Sequence, residues 1–277
     1  MTPENEYRTT HKDKERETRP PNQELILALY QQLWERPIEV RKKMEEYLEN
    51  QGEPLVQRVS QAPLPTEYGD WTQIHYLDRR DGKVHTAMVY GDADNGTLGD
   101  REEVLVRVHS SHNPNERFKS HTSDDAKQLE ESMKRIQEEG RGVIVYLDEE
   151  GRGHGERGQH MQFKNMFKWE DDKIVEKRDP ETNEPMRPSQ AYEKAGLEKD
   201  PRSFKHVAQI LGDLRIKSVV LMTAHPGKTD KLIQAGVRVV GINPIHVTTD
   251  NPVTKNYLKD QQKNGYLPKQ ATVFNAK

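Results

Sequence analysis

The chain has 277 residues, of which 32% are apolar and 32% charged, and its formal net charge is −3. This composition fits one core domain with polar extensions, and the charge excludes a global attraction to nucleic acid or to anionic membranes. The absence of cysteine excludes disulfides, thiolate nucleophiles and any cysteine-containing zinc site. No apolar run approaches the roughly 20 residues of a membrane-spanning helix, and the N-terminus has no apolar signal-peptide core, so we expect a cytoplasmic protein with a small-molecule partner.

The N-terminal part of the chain predicts an arm followed by helices. Residues 1–21 are charged and end in prolines, with almost nothing to bury, which favours disorder. From Asn22 onward, Leu25, Leu29 and Leu33 form an apolar stripe that predicts one helix, and Pro37 starts a second. Residues 50–70 are rich in Pro, Gly and Gln and indicate a connection, so we interpret 22–70 as a helical extension and linker.

The middle of the chain predicts a sheet. Apolar stretches at 71–77, 84–90 and 104–108, separated by polar turns, predict strands. Residues 124–139 have apolar positions at helical spacing with Gly140 after them, and 143–147 form a buried-strand run. The segment over about 167–190 is polar and contains three prolines, which we interpret as a surface excursion or a lid.

The C-terminal half predicts alternating helices and strands. Helices over 204–214 and 226–235 alternate with strands over 218–222 and 237–242. Strand, helix and strand in this order imply a parallel pair with a right-handed crossover. The last 25 or so residues are polar and are predicted to be peripheral. The elements together predict an α/β fold, with a mixed sheet flanked by helices and an N-terminal helical extension.

A glycine-rich turn follows the strand over 143–147, in the run VIVYLDEEGRGHG. Glycines let the backbone approach a ligand closely, so Arg152 could hold a phosphate there. Glu150 could accept hydrogen bonds from a base edge or bind a cation. Taken alone, such a turn is more often structural than ligand-binding.

The run TAHPGK over 223–228 connects a predicted strand to the next helix. Free backbone N–H groups and the positive end of a helix dipole favour an anion at such a place, and Lys228 adds a full charge. An ordinary helix cap with a solvated lysine is an equally good interpretation.

The run KDPRSF over 199–204 begins another helix, with Asp200 two residues before Arg202. Arginine commonly clamps phosphates, and a carboxylate beside it could align the guanidinium or take a proton from it during chemistry. A capping aspartate with a surface arginine is the alternative, and the spacing does not separate the two.

The strand over 104–108 leads into a polar loop that carries three histidines and two aspartates. Imidazole and carboxylate groups suit Zn, Mn or Fe, so this loop offers candidate metal ligands. They are His109, His112, His121, Asp124 and Asp125. Their spacing matches no recognised motif, and solvated loop residues are the more frequent explanation.

Taken together and in their order along the chain, the four motifs resemble the catalytic domain of GTP cyclohydrolase II, from about Ala87 to Tyr266. VLVRVHSSH leading to TSDDAKQL is similar to the family's VLVRVHSEC leading to RCDCGxQL, with the same loop length. EEGRGVIVYLDEEGRGHG resembles EEGRGxxLYxRQEGRGIG, DPRSF resembles DxRDY/F, and TAHPGK resembles TNNPxK. The resemblance implies a catalytic domain over 71–268, with the N-terminal helices and the 167–190 insertion outside the shared pattern.

In this family an arginine attacks the α-phosphate of GTP, pyrophosphate leaves, and a zinc-bound water then opens the imidazole ring and releases formate. The resemblance makes Arg202 the nucleophile and Asp200 its activator. The nucleotide contacts it implies are Arg107, His109, Gln128, Glu150, Arg152, Thr223 and Lys228. The resemblance also implies a homodimer, and we expect Mg²⁺ on the nucleotide phosphates.

The three zinc-binding cysteines of the family align with His112, Ser123 and Asp125, and the tyrosine that assists proton transfer aligns with Phe163. Serine is a poor zinc ligand and carboxylate prefers harder ions, so we expect zinc to be absent. His112 and Asp125 are left as weak metal candidates. Both losses fall on the half of the reaction that opens the ring.

Three hypotheses follow from these residues. The leading one is a zinc-free nucleotide hydrolase that attacks the α-phosphate through Arg202 and releases pyrophosphate or a comparable leaving group, with zinc-dependent ring opening lost and any ring opening done differently. The second is a ring-opening hydrolase for a pyrimidine nucleotide, in which the histidines and Asp125 of the 109–125 loop form a redesigned metal or acid–base site. The third is a nucleotide-binding protein without catalysis, which the retained Asp200 and Arg202 disfavour.

Overall fold

The computed structural model describes residues 21–91, 96–223, 225–245, 247 and 249–263. Apart from its last residue, the predicted arm over 1–21 lies outside these ranges. Two helices, α1 (Pro21–Glu35) and α2 (Pro37–Asn50), open the described chain and confirm the helical extension. A proline at the first position of α2 suits a helix start because its missing N–H needs no partner there. Two residues of the predicted apolar stripe of α1, Leu25 and Leu29, are exposed, as is Trp34.

A mixed sheet forms the centre of the molecule. The strands are β1 (Val56–Thr66), β2 (Gly69–Asp78), β3 (Val84–Tyr90), β4 (Val104–Ser110), β5 (Gly142–Leu147), β6 (Phe167–Glu170), β7 (Lys173–Glu176), β8 (Val219–Leu221) and β9 (Val239–Ile242). All but β6 and β7 join one sheet in the order β1-β2-β3-β5-β4-β8-β9. β1, β2, β3 and β5 pair antiparallel, whereas β5, β4, β8 and β9 pair parallel. The predicted α/β fold with a parallel β8–β9 pair is confirmed.

Residues 56–66, predicted to belong to a connection, form β1 instead. This edge strand pairs antiparallel with β2 and buries Val56, but most of its other side chains are exposed. It also contains Pro63 and Pro65, which an edge strand tolerates because its outer N–H positions need no ladder partner. The sequence therefore lacks the alternation that indicates a strand, and the sheet begins upstream of residue 71. The other domain boundaries stay a prediction.

Helices cover both faces of the sheet. After α2 they are α3 (Asn113–Glu116), α4 (Asp125–Glu139), α5 (Gly155–Met166), α6 (Pro188–Lys194), α7 (Lys205–Asp213), α8 (Pro226–Gln234) and α9 (Pro252–Lys263). On one face Ile136 of α4 shares a core with Leu105 of β4. On the other, Val207 of α7 and Leu232 of α8 share a core with Val106. Successive side chains of β4 serve the two cores in turn because a strand points them to opposite faces. None of the helices in the described part of the chain has the length and apolar character to cross a membrane.

The insertion that follows α5 is more structured than its polar sequence predicts. β6 and β7 pair as an antiparallel hairpin, and α6 comes after them. Met166, Met186 and Ala191 form a small separate core in this region. The sequence does not indicate this core, because its residues meet only once the hairpin has folded and show no periodicity in the sequence.

Helix α9 returns to the domain. The Thr254 hydroxyl donates to the backbone oxygen of His121 at 2.8 Å, and Tyr257 and Leu258 line the main cleft. The prediction of a peripheral C-terminus is therefore wrong for α9, since its few inward-facing residues are not marked by the polar composition. Residues 264–277 lie outside the described ranges.

Candidate active site

A cleft of about 920 Å³ opens at the carboxyl ends of the parallel strands β4, β5 and β8. The chain leaves β4 toward β5 on one side and leaves β8 toward β9 on the other, and open α/β sheets bind ligands where the connections diverge in this way. All the residues that the sequence predicted for the site, except His121, line this cleft. They are Arg107, His109, His112, Asp124, Asp125, Gln128, Glu150, Arg152, Asp200, Arg202, Thr223 and Lys228. Their roles remain predictions.

Arg202 and Asp200 form a bidentate pair inside the cleft. Nε of Arg202 donates to Oδ1 of Asp200 at 2.8 Å, and Nη2 donates to Oδ2 at 2.9 Å. The third nitrogen, Nη1, donates to the Ser110 hydroxyl at the end of β4, at 2.9 Å. Burial alone would lower the pKa of Arg202, but Asp200 raises it above its ordinary value, so the resting guanidinium is charged. In turn, Arg202 holds the pKa of Asp200 below its usual range against the effect of burial.

Further cations gather beside this pair at the start of α8. Burial, together with the guanidinium groups of Arg107 and Arg202, lowers the pKa of Lys228 to about 7. Lys231, one turn later, donates to the backbone oxygens of Asp200 and Arg202 at 2.9 and 3.0 Å. A bound anion would relieve the repulsion between these charges, and the N-terminus of α8 adds backbone donors. This side of the cleft is suited to phosphate groups.

A chain of hydrogen bonds forms another wall of the cleft. Nη2 of Arg107 donates to Oε1 of Gln128 at 2.6 Å, and Nε2 of Gln128 donates to Oδ1 of Asp124 at 2.8 Å. Arg107 is buried on β4, and its Nη1 donates to the backbone oxygen of Met222 at 2.8 Å. Burial, with the neighbouring charge of Asp125, raises the pKa of Asp124 to about 6. These hydrogen bonds fix the orientation of the Gln128 amide, and the resemblance implies that the guanine base lies beside this amide.

The glycine-rich turn after β5 requires its glycine. Gly151 has a φ of 58°, and a Cβ there would lie 3.0 Å from the backbone nitrogen of Gln159. Next to it, the buried carboxylate of Glu150 accepts from the backbone N–H of Asn113 at 2.6 Å and from Nε2 of Gln159 at 2.5 Å. Glu150 thus holds the turn against the loop that follows β4.

Arg152 and Thr223 lie at two other points of the cleft wall. Nη1 of Arg152 donates to the backbone oxygen of Lys199 at 3.0 Å, and its guanidinium lies 5.5 Å from the ring centre of Tyr192. Thr223 follows β8, and its hydroxyl accepts from the backbone N–H of His225 at 3.1 Å. Arg152 therefore connects the glycine-rich turn to the segment that carries the Arg202–Asp200 pair.

His109 is buried on β4, whereas His121 is exposed and lies outside the cleft. Nε2 of His109 lies 3.0 Å from Oε1 of Glu116, and its ring stacks on Tyr146 with centroids 5.5 Å apart. Burial lowers the pKa of His109, which favours a neutral imidazole. Its Nδ1 has no hydrogen-bond partner among the described residues.

The residues at the family's zinc positions do not fit a zinc site. Nδ1 of His112 lies 2.9 Å from Nε2 of Gln159 and 3.5 Å from Oε1 of Glu150, while its Nε2 lies 4.0 Å from Oδ2 of Asp125. One imidazole nitrogen is therefore already engaged, and Ser123 and Asp125 supply a hydroxyl and a carboxylate where zinc prefers thiolate or imidazole. Within the described ranges, no three histidine or carboxylate side chains converge as metal ligands.

His112 lies instead in a charged acid–base cluster beside Phe163. Burial alone would lower its pKa, but Glu150 foremost and then Asp125 raise it above the ordinary value for histidine. The ring of Phe163 lies 6.2 Å from the imidazole, centre to centre, and has no hydroxyl to move a proton. This wall can exchange protons through His112 but not through residue 163.

Several cleft residues were not selected from the sequence, among them His225, Lys231, Glu149 and Tyr257. His225 begins α8 and its Nδ1 accepts from the backbone N–H of Lys228 at 3.2 Å, although it lies within the TAHPGK run. Lys231 comes three residues after Lys228, a helical spacing that would have identified it. Glu149 and Tyr257 also line the cleft. Glu149 lies in the glycine-rich motif beside Glu150 but was assigned no role, and no motif marks Tyr257.

Comparison with known proteins agrees with the motifs. The family model for GTP cyclohydrolase II matches residues 57–244. GTP cyclohydrolase-2 of Neisseria meningitidis serogroup A is 35% identical over 218 residues, which cover 77% of this chain and 97% of the relative. GTP cyclohydrolase-2 of Buchnera aphidicola is 33% identical over 213 residues, which cover 76% of this chain and 98% of the relative.

A solved structure is also similar, namely RibBX, a two-domain 3,4-dihydroxy-2-butanone 4-phosphate synthase from A. baumannii. It aligns with a TM-score of 0.35 and 16% identity, over 75% of this chain and 50% of that chain, which is too weak to bear on fold or function. The family match begins at residue 57 rather than at Ala87, so it includes β1 and β2 and leaves α1 and α2 outside. The chain is an enzyme that resembles GTP cyclohydrolase II and belongs to the GTP cyclohydrolase II family.

Proposed function

We propose that this chain hydrolyses GTP or another nucleoside triphosphate by attack of Arg202 on the α-phosphate, releases pyrophosphate, and opens no ring. The observation that supports this is an asymmetry within one cleft. The bidentate Arg202–Asp200 pair is assembled, whereas the zinc-ligand positions hold His112, Ser123 and Asp125. Family membership and relatives named GTP cyclohydrolase-2 make the chain a GTP cyclohydrolase-like hydrolase with a nucleotide substrate.

The attack begins with one proton passing from the guanidinium of Arg202 to Asp200. Because Asp200 raises the pKa of Arg202, this transfer occurs as the nucleophile approaches phosphorus and not in the resting site. Asp200 holds Nε and Nη2 and takes the proton from Nη2, so Nη1, which donates to the Ser110 hydroxyl, is the nitrogen that forms the bond to phosphorus. As that bond forms, one proton of Nη1 passes to Nη2, and the proton on Asp200 leaves with pyrophosphate. The bond from the α-phosphorus to the bridging oxygen of pyrophosphate breaks. Water then cleaves the nitrogen–phosphorus bond, which restores Arg202 and releases the nucleoside monophosphate.

The remaining cleft residues bind and orient the nucleotide in this proposal. Lys228 and the N-terminus of α8 neutralise the phosphates, which enter with Mg²⁺. Arg107 and Gln128 hold the base side through their mutual hydrogen bond of 2.6 Å. No step involves zinc, because the donor set at His112 and Asp125 does not suit that ion.

The proposal is tested by incubating the purified protein and Mg²⁺ with a panel of purine and pyrimidine nucleoside triphosphates. We expect pyrophosphate and a nucleoside monophosphate from at least one of them. Arg202→Ala abolishes this release, whereas Arg238→Ala, a change at an exposed arginine, preserves it. Absence of pyrophosphate with every nucleotide, or unchanged release by Arg202→Ala, contradicts the proposal.

A second candidate is the opening of a pyrimidine ring without zinc. The observation that favours it is the position of His112, whose Nδ1 lies 3.5 Å from Oε1 of Glu150 and whose Nε2 lies 4.0 Å from Oδ2 of Asp125, on the wall where the family opens its ring. These carboxylates raise the pKa of His112 against the effect of burial. Such an imidazole can serve as a general acid. With uridine nucleotides this activity gives a product heavier than the substrate by one water, which mass spectrometry distinguishes from pyrophosphate release. Binding without any turnover favours a nucleotide-binding protein without catalysis.

A homodimer and a cytoplasmic location complete the proposal. The homodimer rests on the family resemblance, and light scattering of the purified protein tests it. We expect twice the mass of one chain, and the mass of a single chain would contradict the dimer. Fractionation of the source cells tests the location.

A further inference from the structure

Helix α2 lies outside the family match, yet it packs behind the two segments that carry the central site residues. Arg41 of α2 is only 6% exposed, and its Nη2 lies 2.5 Å from Oε1 of Glu149 at the glycine-rich turn. One turn later, Oε1 of Glu45 lies 3.1 Å from Nζ of Lys205, three residues after Arg202. One helix therefore contacts both halves of the cleft from behind.

The guanidinium of Arg41 reaches the back of the proposed nucleophile. A Cβ on Gly153 would lie 3.2 Å from Cγ of Arg202 and 3.5 Å from Nη1 of Arg41. At this point only a glycine separates the two arginine side chains. Arg41 is therefore part of the wall that supports Arg202, although it comes from a different region of the chain.

Glu149 is the nearest of three carboxylates that Arg41 contacts, the others being Asp81 at 3.1 Å and Asp78 at 3.5 Å. Glu149 is 1% exposed and lines the cleft, and its Oε2 has no hydrogen-bond partner among the described residues. Burial alone would raise its pKa, but Arg41 foremost, with Arg202 among the further causes, keeps it below its usual range. Another guanidinium in this region, Arg80, is engaged by Asp78 at 2.6 Å and by carboxylate Oε2 of Glu45 at 2.8 Å.

His206 does not replace Arg41 as a partner. Its Nε2 lies 3.5 Å from Oε1 of Glu149, but burial lowers its pKa well below the usual value, so it is neutral at physiological pH. Without Arg41, the buried Glu149 carboxylate would turn to Arg202, the cation of the cleft wall that already lowers its pKa. A second carboxylate on Arg202 would disfavour loss of the guanidinium proton and would compete for Nη1.

We propose that Arg41 is a positioning residue: by pairing with the buried Glu149 carboxylate, it keeps Glu149 from competing with Asp200 for the guanidinium of Arg202. The inference rests on the nucleophilic role proposed for Arg202. It assigns to the extension helix α2 a function in the reaction, although no atom of α2 needs to touch the nucleotide.

The kinetic test compares Arg41→Gln, Glu149→Gln and the double variant, with Lys43→Gln as a matched control on the exposed face of α2. We expect Arg41→Gln to lower kcat about 10- to 100-fold, with KM within about 3-fold, because the phosphate-binding cations are unchanged. Removing the competing charge as well restores kcat in the double variant to within about 5-fold of the native value. A purely structural role would not give this rescue.

Two kinetic results would overturn the assignment. One is a kcat of Arg41→Gln within about 2-fold of that of Lys43→Gln, and the other is a double variant no faster than Arg41→Gln. Melting temperatures of all four proteins establish that the folded protein is being compared.

Crystal structures of the native protein and of Arg41→Gln decide the question without any activity. We expect an oxygen of Glu149 to move within hydrogen-bond distance of Arg202 in the variant. A Glu149 that stays in place, with the Arg202–Asp200 distances unchanged at 2.8 and 2.9 Å, overturns the inference. If the native protein releases no pyrophosphate, the proposed function is wrong, while these structures still judge the role of Arg41.

Discussion

Replacing Asp200 by asparagine removes the base and leaves the shape of the site intact. Asp200 accepts two guanidinium hydrogen bonds at 2.8 and 2.9 Å and a weaker one from the backbone N–H of Arg202 at 3.3 Å. An asparagine oxygen can keep one of the first two, but its NH₂ group faces the other donor, so that bond is lost. We expect the loss of the base to lower kcat about 10²- to 10⁴-fold. This corresponds to about 3–5 kcal/mol of transition-state stabilisation.

The assay follows pyrophosphate release by Asp200→Asn at saturating nucleotide. We expect KM to change less than kcat, because Lys228 and the N-terminus of α8 still hold the phosphates. Asp172→Asn makes the same chemical change at an exposed position of the insertion and serves as the control. If Asp200→Asn keeps more than about half of the native kcat, Asp200 is not the base and the attack proposed for Arg202 loses its activator.

Three further predictions test other parts of the site. The pKa of Lys228 is lowered to about 7, so the free enzyme loses a phosphate-binding charge as the pH rises through that value. We therefore expect kcat/KM to fall over the same pH range, and Lys228→Arg to remove this decline. A flat pH profile of the native enzyme would contradict the prediction. Gly153 has a φ of 89°, and the Cβ of an alanine there would lie 3.2 Å from Cγ of Arg202. Gly153→Ala therefore lowers kcat, and it lowers the free energy of unfolding in urea by about 1–2 kcal/mol. Gly82→Ala, at a φ of 78° with open space around it, lowers only the stability, and equal kinetic effects of the two changes would contradict the account. Zinc in the purified protein is expected well below one ion per chain by mass spectrometry, and a stoichiometric content would contradict the zinc-free proposal.

The sequence predicts the elements whose apolar residues form a continuous run or recur at a helical period. β4, with the run VLVRV, serves two cores, and α4 ends at Gly140, whose φ of 77° matches the predicted stop. β1 was missed because an edge strand with exposed side chains and prolines has no alternation to detect. The small core of Met166, Met186 and Ala191 was missed for a related reason, since those residues are brought together only by the fold.

Some residues of the cleft could likewise be predicted from the sequence, and others could not. Arg202, Asp200 and Lys228 occur in compact motifs at element boundaries, so their convergence at one sheet edge could be predicted. Glu149 lies in the glycine-rich motif, but Arg41 is 108 residues away and belongs to no motif, so nothing in the sequence pairs them. Only the packing of α2 against the glycine-rich turn brings them within 2.5 Å, and burial then makes the pair consequential because an unpaired buried charge is costly.

The central claim is most directly tested by identifying the products of GTP with the native protein and Mg²⁺. The account predicts pyrophosphate and guanosine monophosphate in equal amounts, with no formate and no ring-opened product, in a phosphorus NMR and mass spectrometric time course. Release of formate would contradict the loss of ring opening. Failure to release pyrophosphate from GTP and from every other nucleoside triphosphate would contradict attack on the α-phosphate by Arg202.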